Sequence, residues 1–429
     1  LTADALRAEL ERQGIMTSAQ IQRHFGKTQA TVSRLLQTLE DELIVIGAAR
    51  STRYALAEPI GRFSAMQPIM WVDSFGALHR IGTLNFLAQS RIHVEADGVD
   101  MLFAPSPDAA LPWFLSGLKA QGFLGRMLAK KLAAEGVSGD PDRWDTRTSL
   151  IAALHTYDAP SAFLLGTQGA DIANTLPVGS SAGGEQPKFL ASNTAGESFV
   201  VKFSPPRGTP FGERWHDLLC AESISAQVLE RAGIAAAQAT VIQTPTRSYL
   251  LSRRFDRTPQ GGRKSVVSIG AVHQGLLKTP FQNWATTAQE LHQLKRLSAT
   301  DAETVNDVLQ FGRLIGNTDM HSGNLALYMT GENLKTLLNA PFSLAPVYDM
   351  LPMRWRPDTI NGALDYAPFA VDTTLARTPI LAAAREFWSM VSQDERVSEG
   401  LRRGVAKRMM EIIPPPHPAP VKPPIYPEF

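Results

Sequence analysis

The chain has 429 residues, of which 44% are hydrophobic and 19% charged, and its formal net charge is +1. That length suggests two or three domains and the composition excludes a chain disordered throughout; near-neutrality excludes a global field toward nucleic acid or membrane, so such binding must come from a local patch. The single cysteine, Cys220, excludes an intramolecular disulfide and a multi-cysteine zinc site, fits a reducing cytosol, and reads as a core residue of the helix around it.

The opening residues, Leu1-Thr2-Ala3-Asp4-Ala5-Leu6, lack the basic and apolar regions of a signal peptide. No apolar run approaches the roughly 18 residues of a membrane span. The expected location is the cytoplasm, with no membrane partner. Residues 1–58 read as a small unit. Leu6 and Leu10 mark a first helix that stops at Gly14. Thr17-Ser18 cap a second, Ala19 to Phe25, ended by Gly26. Thr28 caps a third, with Val32, Leu35, Leu36 and Leu39 on one face. Leu43–Ile46 and Arg53–Leu56 read as a hairpin. Three helices followed by a hairpin fit a winged helix-turn-helix. Its recognition helix would present Thr28, Gln29, Thr31, Ser33 and Arg34, and its wing Arg50 and Arg53, to DNA. Docking of a protein is the other use of such a unit.

Residues 60–270 read as an α+β lobe. Strand-like runs include Ile69–Val72 and Ile92–Glu95. Residues 111–175 look helical, at Leu111–Leu118, Phe123–Glu135 and Thr148–Leu154. Then come a β-rich run at Phe199–Phe203, a long helix at Leu218–Ala232, and a strand at Tyr249–Ser252. Residues 271–415 are mainly helical, interrupted by strand-like runs at Leu325–Tyr328 and Leu344–Val347. The proline-rich tail, 416–429, has no expected fold role.

The strongest chemical signal is Asn317-Thr318-Asp319-Met320-His321-Ser322-Gly323-Asn324, followed by Tyr348-Asp349. Phosphoryl transfer needs a carboxylate to orient the attacking hydroxyl and oxygen ligands for magnesium on the phosphates. Asp319 suits the first task, and Asn324 and Asp349 the second. The step from Asp319 to Asn324 equals the Asp-to-Asn step of protein-kinase catalytic loops. Upstream, Ser180-Ser181-Ala182-Gly183-Gly184-Glu185 is a small-residue loop whose bare amides can approach phosphate oxygens, although it is neither a Walker A nor a G-x-G-x-x-G sequence. Lys202, inside the β-rich run, suits a strand lysine reaching the α- and β-phosphates, with Glu222 on the next helix as its partner. Each residue taken singly has an ordinary structural reading: turn formers in the loops, a buried histidine at 321, an edge lysine at 202. Their order along the chain is that of a two-lobed kinase.

Together these residues resemble the HipA-like kinases, toxins of bacterial toxin–antitoxin systems, over roughly residues 60 to 400. The Asp-x-His-x-x-Asn motif falls on Asp319, His321 and Asn324, and the Tyr-Asp pair on Tyr348 and Asp349. The Arg-Phe-Asp-Arg motif is Arg254-Phe255-Asp256-Arg257, and the Ser-x-x-Gly-x-x-x-Lys loop falls on Ser181, Gly184 and Lys188. The resemblance implies an α+β, two-lobed body that transfers the γ-phosphate of ATP, with magnesium, to a serine or threonine of a protein. Asp319 and His321 would be catalytic. Ser181, Gly183, Gly184, Lys188, Lys202, Glu222, Phe255 and Asp256 would hold the nucleotide, and Asn324 and Asp349 the metal. It also implies autophosphorylation at Ser181, with Ser180 as a neighbour, and a protein substrate such as an aminoacyl-tRNA synthetase or another translation component. A separate antitoxin is a further expected kind of partner, and the fused N-terminal unit would link DNA binding to autoregulation. The sequence departs from family wording at Arg253, where relatives carry glutamate near the adenine, and across Ser265–Pro280. The alternative readings are a transcription regulator with a nucleotide-sensing body and a small-molecule kinase.

Overall fold

The computed structural model describes residues 2–106, 110–155, 163–165, 186–357 and 365–415. The small-residue loop at 180–185 and the proline-rich tail lie outside the described residues. No helix among the described residues is long and apolar enough to cross a membrane.

The first unit contains α1 (Ala3–Gln13), β1 (Ile15–Thr17), α2 (Ser18–Phe25), α3 (Gln29–Thr38), β2 (Leu43–Ile46) and β3 (Arg53–Leu56). Thr17 caps α2 through a capping box with Gln20, and Gly26, at φ +60°, ends it in the left-handed region. Thr28 occupies the cap position of α3, but its hydroxyl makes no capping bond there and lies 3.1 Å from the Thr31 hydroxyl instead. β1 was not foreseen. It is three residues long, too short to show alternation, and joins the hairpin as a third strand in the order β1-β3-β2.

This unit is seated firmly against the neighbouring part of the chain. Leu6, Leu10, Met16, Ile21, Val32, Leu36, Leu39 and Leu56 form a core that takes in Ala88, while Leu87 packs with Ile46 and Ala55. Glu58 N–H donates to Phe86 O at 2.9 Å, and Arg147 bridges Glu58 at 2.6 Å. Gln89, in the left-handed region at φ +60°, turns its amide onto the carbonyls of Glu11 and Arg12 at the end of α1.

The middle region holds β4 (Met66–Val72), β5 (Leu78–Leu87), β6 (Arg91–Ala96), β7 (Val99–Phe103), α4 (Gly122–Leu132), α5 (Thr146–Leu154) and β8 (Phe163–Leu165). Its sheet runs β7-β6-β5-β4-β8, antiparallel in every pairing. β8 corrects the helical reading of 111–175: a three-residue apolar run becomes a strand because β4 offers it an edge. Trp113–Leu118, expected as a regular helix, is a 3-10 segment.

A second antiparallel sheet, β11-β12-β10-β9, is built from β9 (Lys188–Ser192), β10 (Ser198–Phe203), β11 (Ala239–Gln243) and β12 (Ser248–Arg253). Between β10 and β11 runs α6 (Pro210–Arg231), which starts eight residues before its expected beginning at Leu218. Thr209 caps it and Pro210 opens it, a start signal masked by the polar residues between. Beyond β12 lie β13 (Val266–Ser268), α7 (Ile269–Leu276), α8 (Trp284–Gln293), α9 (Ala299–Ile315), β14 (Ala326–Tyr328), α10 (Leu334–Asn339), β15 (Ser343–Leu344), α11 (Thr378–Gln393) and α12 (Lys407–Ile412). β13, inside the span read as the first lobe, pairs with β14. The strand expected at Leu344–Val347 is Ser343–Leu344, and Val347 makes a parallel bridge to Ala236, between α6 and β11. One continuous apolar core, including Trp284, Phe311, Phe387 and Trp388, joins the middle region to the helical part.

Candidate active site

Lys202 sits on β10, an interior strand paired with β12 on one side and β9 on the other. The expected alternative, an edge lysine facing water, is thereby removed. Its side chain is 5% exposed. A buried ammonium needs partners, and α6 supplies one: Glu222 accepts from Lys202 Nζ through both carboxylate oxygens, at 2.6 and 2.7 Å. The second partner comes from far along the chain, Asp349 Oδ1 at 2.7 Å. The Asp349 side chain is 30% exposed, so it is the open member of the trio. Lys188 lies opposite Lys202 in register on β9, and its charge reaches both carboxylates.

These groups set one another's ionisation. Burial alone would neutralise Lys202, but Asp349 and Glu222 outweigh it and hold the ammonium charged well above its usual range. Burial would likewise raise the Asp349 carboxyl; the charge of Lys202, then of Lys188, overcomes this and lowers it. Glu222 is pushed up, because burial there exceeds the pull of Lys202.

Asp349 has φ +51°, the left-handed region, which a residue other than glycine occupies only when its surroundings hold it there. The holders are in the 317–324 loop. α9 ends at Gly316, φ +80°, and Asn317 N–H returns to Gly312 O at 2.8 Å. Asn317 is buried. Its side-chain oxygen accepts from Asp319 N–H at 3.0 Å, and its amide nitrogen lies 3.5 Å from Asp349 O. Tyr348 Oη donates to Gly323 O at 2.8 Å, and Trp284 Nε1 donates to His321 O at 2.9 Å. The loop is thus tied to the Asp349 segment at two points and to α8 at a third. Asn324 Nδ2 donates to Asp319 O at 2.8 Å, which leaves the Asn324 amide oxygen for a cation. His321 is exposed; its Nδ1 accepts from Gly323 N–H at 3.0 Å, and its charged form would favour the Asp349 carboxylate.

Phe255 is half-buried, with its ring 5.7 Å from that of Tyr348. Asp256 is held by neighbouring arginines. It is 5% exposed, takes a bidentate pair from Arg254 at 2.9 and 2.7 Å, and accepts from Arg257 at 2.7 Å. Burial would raise its pKa, but the two arginines hold it at about 2. A carboxylate so engaged braces the chain between the sheets. Arg253 is bound to Glu197 at 2.9 Å. Cys220 is fully buried, and burial pushes its thiol up to about 12, which suits a core residue.

Lys188 and Lys202 fall on neighbouring strands of one sheet, Glu222 on α6, and Phe255, Asp319, His321, Asn324 and Asp349 on loops. Ser180, Ser181, Gly183 and Gly184 lie outside the described residues. Asn317 and Trp284 were not singled out from sequence. Asn317 stands beside the motif and was legible as a buried polar residue after a helix-ending glycine; nothing local marks Trp284. In the N-terminal unit, Thr28, Gln29, Ser33 and Arg34 are exposed, Thr31 and Arg53 are half-buried, and Arg50 lies in the turn Ala49–Ser51.

A four-stranded sheet with a lysine–glutamate pair, joined to a helical body with an Asp-x-x-x-x-Asn loop and a following aspartate, defines a kinase-like α+β protein. Sequence comparison places it further. Residues 180–411 match the HipA-like C-terminal domain, and residues 63–173 the middle domain of YjjJ-like toxins. Toxin YjjJ of Escherichia coli (strain K12) is 34% identical over 443 residues, covering 94% of this chain and 96% of that one. The chain belongs to the HipA-like toxin family. Among solved structures, HipA from the toxin–antitoxin system of Shewanella oneidensis MR-1, in complex with HipB and operator DNA, aligns with a TM-score of 0.51 at 15% identity, covering 80% of this chain and 96% of that one. That likeness is one of fold.

Proposed function

We propose that this chain is a toxin kinase that transfers the γ-phosphate of ATP to a serine or threonine of a protein. The observation that carries the reading is the meeting of Lys202, Glu222 and Asp349 within 2.6–2.7 Å, 147 residues apart at the extremes, beside the loop that bears Asp319 and Asn324. Lys202, held by Glu222, would grip the phosphates from the sheet side, with Lys188 next to it. Asp319, whose backbone is fixed by Asn317 and Asn324, would orient the substrate hydroxyl and accept its proton, and His321 would shape that loop. Asp349 and the amide oxygen of Asn324 are hard oxygen donors suited to magnesium, which would neutralise charge on the phosphates. Phe255 would flank the base. Ser181, or Ser180, would be the site of self-modification; a phosphate there adds about −1.5 to −2 charge where the phosphates of ATP must sit.

The first unit has the helix and strand order expected of a winged helix-turn-helix, and Gln29, Ser33 and Arg34 are exposed along α3 where they would meet DNA, with Arg53 on the wing. This supports DNA-linked autoregulation by a cytoplasmic toxin, with a separate antitoxin as a further partner. A translation component such as an aminoacyl-tRNA synthetase is the substrate class that the family suggests. Incubation of the intact chain with labelled ATP and magnesium tests the reading, with Asp319→Asn as control. Label on Ser180 or Ser181, absent from the control while ATP binding persists, is expected. Equal transfer by both proteins defeats the role of Asp319. ATP binding without any transfer favours the regulator with a nucleotide-sensing body.

A further inference from the structure

The segment between the two sheets is gripped from outside the kinase-like body. After β12 the chain runs through Arg254-Phe255-Asp256-Arg257 and a tight loop, 258–263, before β13. Within that loop Thr258 N–H donates to Gly262 O at 3.0 Å, and Gly262 N–H donates to the Thr258 hydroxyl at 2.9 Å. The turn between β4 and β5 in the middle region, residues 73–77, lies directly against it. Arg263 N–H donates to Asp73 O, and the Thr258 hydroxyl donates to Ser74 O, both at 2.8 Å.

The approach leaves no room for a side chain. A Cβ on Gly262 would stand 2.2 Å from the Ser74 carbonyl carbon and oxygen. The β9–β10 turn closes from another side, where a Cβ on Gly196 would stand 2.6 Å from Pro259 O. The gripping turn is itself stiff: the Asp73 carboxylate accepts from the N–H groups of Phe75 and Ala77 and pairs with His79. On its inner side the gripped segment is continuous with the site. Lys264 N–H donates to Asp256 O at 3.0 Å and Arg254 N–H to Ser198 O at 2.8 Å, while the Phe255 ring lies against Tyr348, the neighbour of Asp349.

We propose that the 73–77 turn, through Ser74, Thr258 and Gly262, positions the segment between the sheets for the nucleotide, so that the middle region is a working part of the ATP site. Thr258 and Gly262 are then positioning residues. They touch no reacting atom and act through the backbone of 254–257. The proposal rests on the kinase reading and deepens it.

The test uses the full chain with Gly262→Ala, which drives a methyl group into Ser74, and Thr258→Val, which keeps the shape and deletes both hydroxyl bonds. Amide hydrogen exchange across 254–264 and steady-state kinetics with ATP are measured side by side. Gly262→Ala is expected to speed exchange there and to raise KM for ATP about fivefold, with kcat within about twofold; Thr258→Val should move both in the same direction by less. If Gly262→Ala fails to fold, the isosteric Thr258→Val decides. Exchange and KM both equal to the parent's, or faster exchange with an unchanged KM, would overturn the positioning role while leaving the kinase reading standing. A parent chain that binds no ATP overturns the kinase reading, and this proposal with it.

Discussion

Replacing Lys202 by methionine removes the one cation among the described residues that pairs with Glu222, and the one that pairs with Asp349. The two carboxylates are not equal in what they lose. Asp349 is 30% exposed and can recover solvent, but Glu222 is 5% exposed and cannot. Breaking a buried pair from one side costs about 3–5 kcal/mol, because the remaining charge is left uncompensated. Glu222 can escape part of that cost by taking up a proton, since burial already pushes its pKa up with Lys202 present. In the variant its folded pKa lies further above the unfolded value of about 4.3. A raised folded pKa gives stability that is complete below the unfolded value and is lost as pH climbs through the folded one. The deficit of Lys202→Met is therefore expected to be smaller at pH 5 than at pH 8. Urea unfolding at both values, compared at equal slope, measures it. The double variant Lys202→Met/Glu222→Gln should regain most of the loss at pH 8, because removing both charges leaves neither unpaired. A deficit under about 1 kcal/mol, or one independent of pH, would refute the reasoning.

Asp349→Asn leaves Lys202 paired with Glu222, so the fold should persist while magnesium ceases to strengthen ATP binding; calorimetry with and without the metal reads this, and an undiminished metal effect would remove Asp349 from the donor set. Asn317→Ala deprives the half-buried Asp319 N–H of its acceptor and frees the Asp349 carbonyl, for an expected cost of about 1–3 kcal/mol and a fall of about tenfold or more in kcat, checked by denaturation and single-turnover transfer. Arg34→Ala should weaken DNA binding across sequences and reduce the salt slope by about one; titrations over a range of salt, with an unchanged slope, would take Arg34 out of the phosphate contacts.

Much of the site was legible in one dimension because phosphoryl transfer asks for few residue types at narrow spacing. Asp319 and Asn324 stand five apart on one loop, and Lys202 stands out as a charge inside an apolar strand. The helices of the first unit were legible from Thr17, Gly14 and Gly26, since caps and stops act within a few residues. The partners of Asp256 were not, because a motif says that a carboxylate is required without saying which neighbours it pairs with. Only the folded chain shows Arg254 and Arg257 consuming it.

By itself, the sequence determined the helices and hairpin of the first unit, the strand that carries Lys202, and which side chains can carry the chemistry, for these depend on neighbours a few positions away. Tertiary structure alone decided three things. It made β8 a strand by offering an edge, and held Asp349 at positive φ through Asn317 and Tyr348. It also set the 73–77 turn against Gly262, across nearly 190 residues. Contacts at such separation leave no local periodicity to read, since their geometry is created by the packing of elements that the chain first has to make.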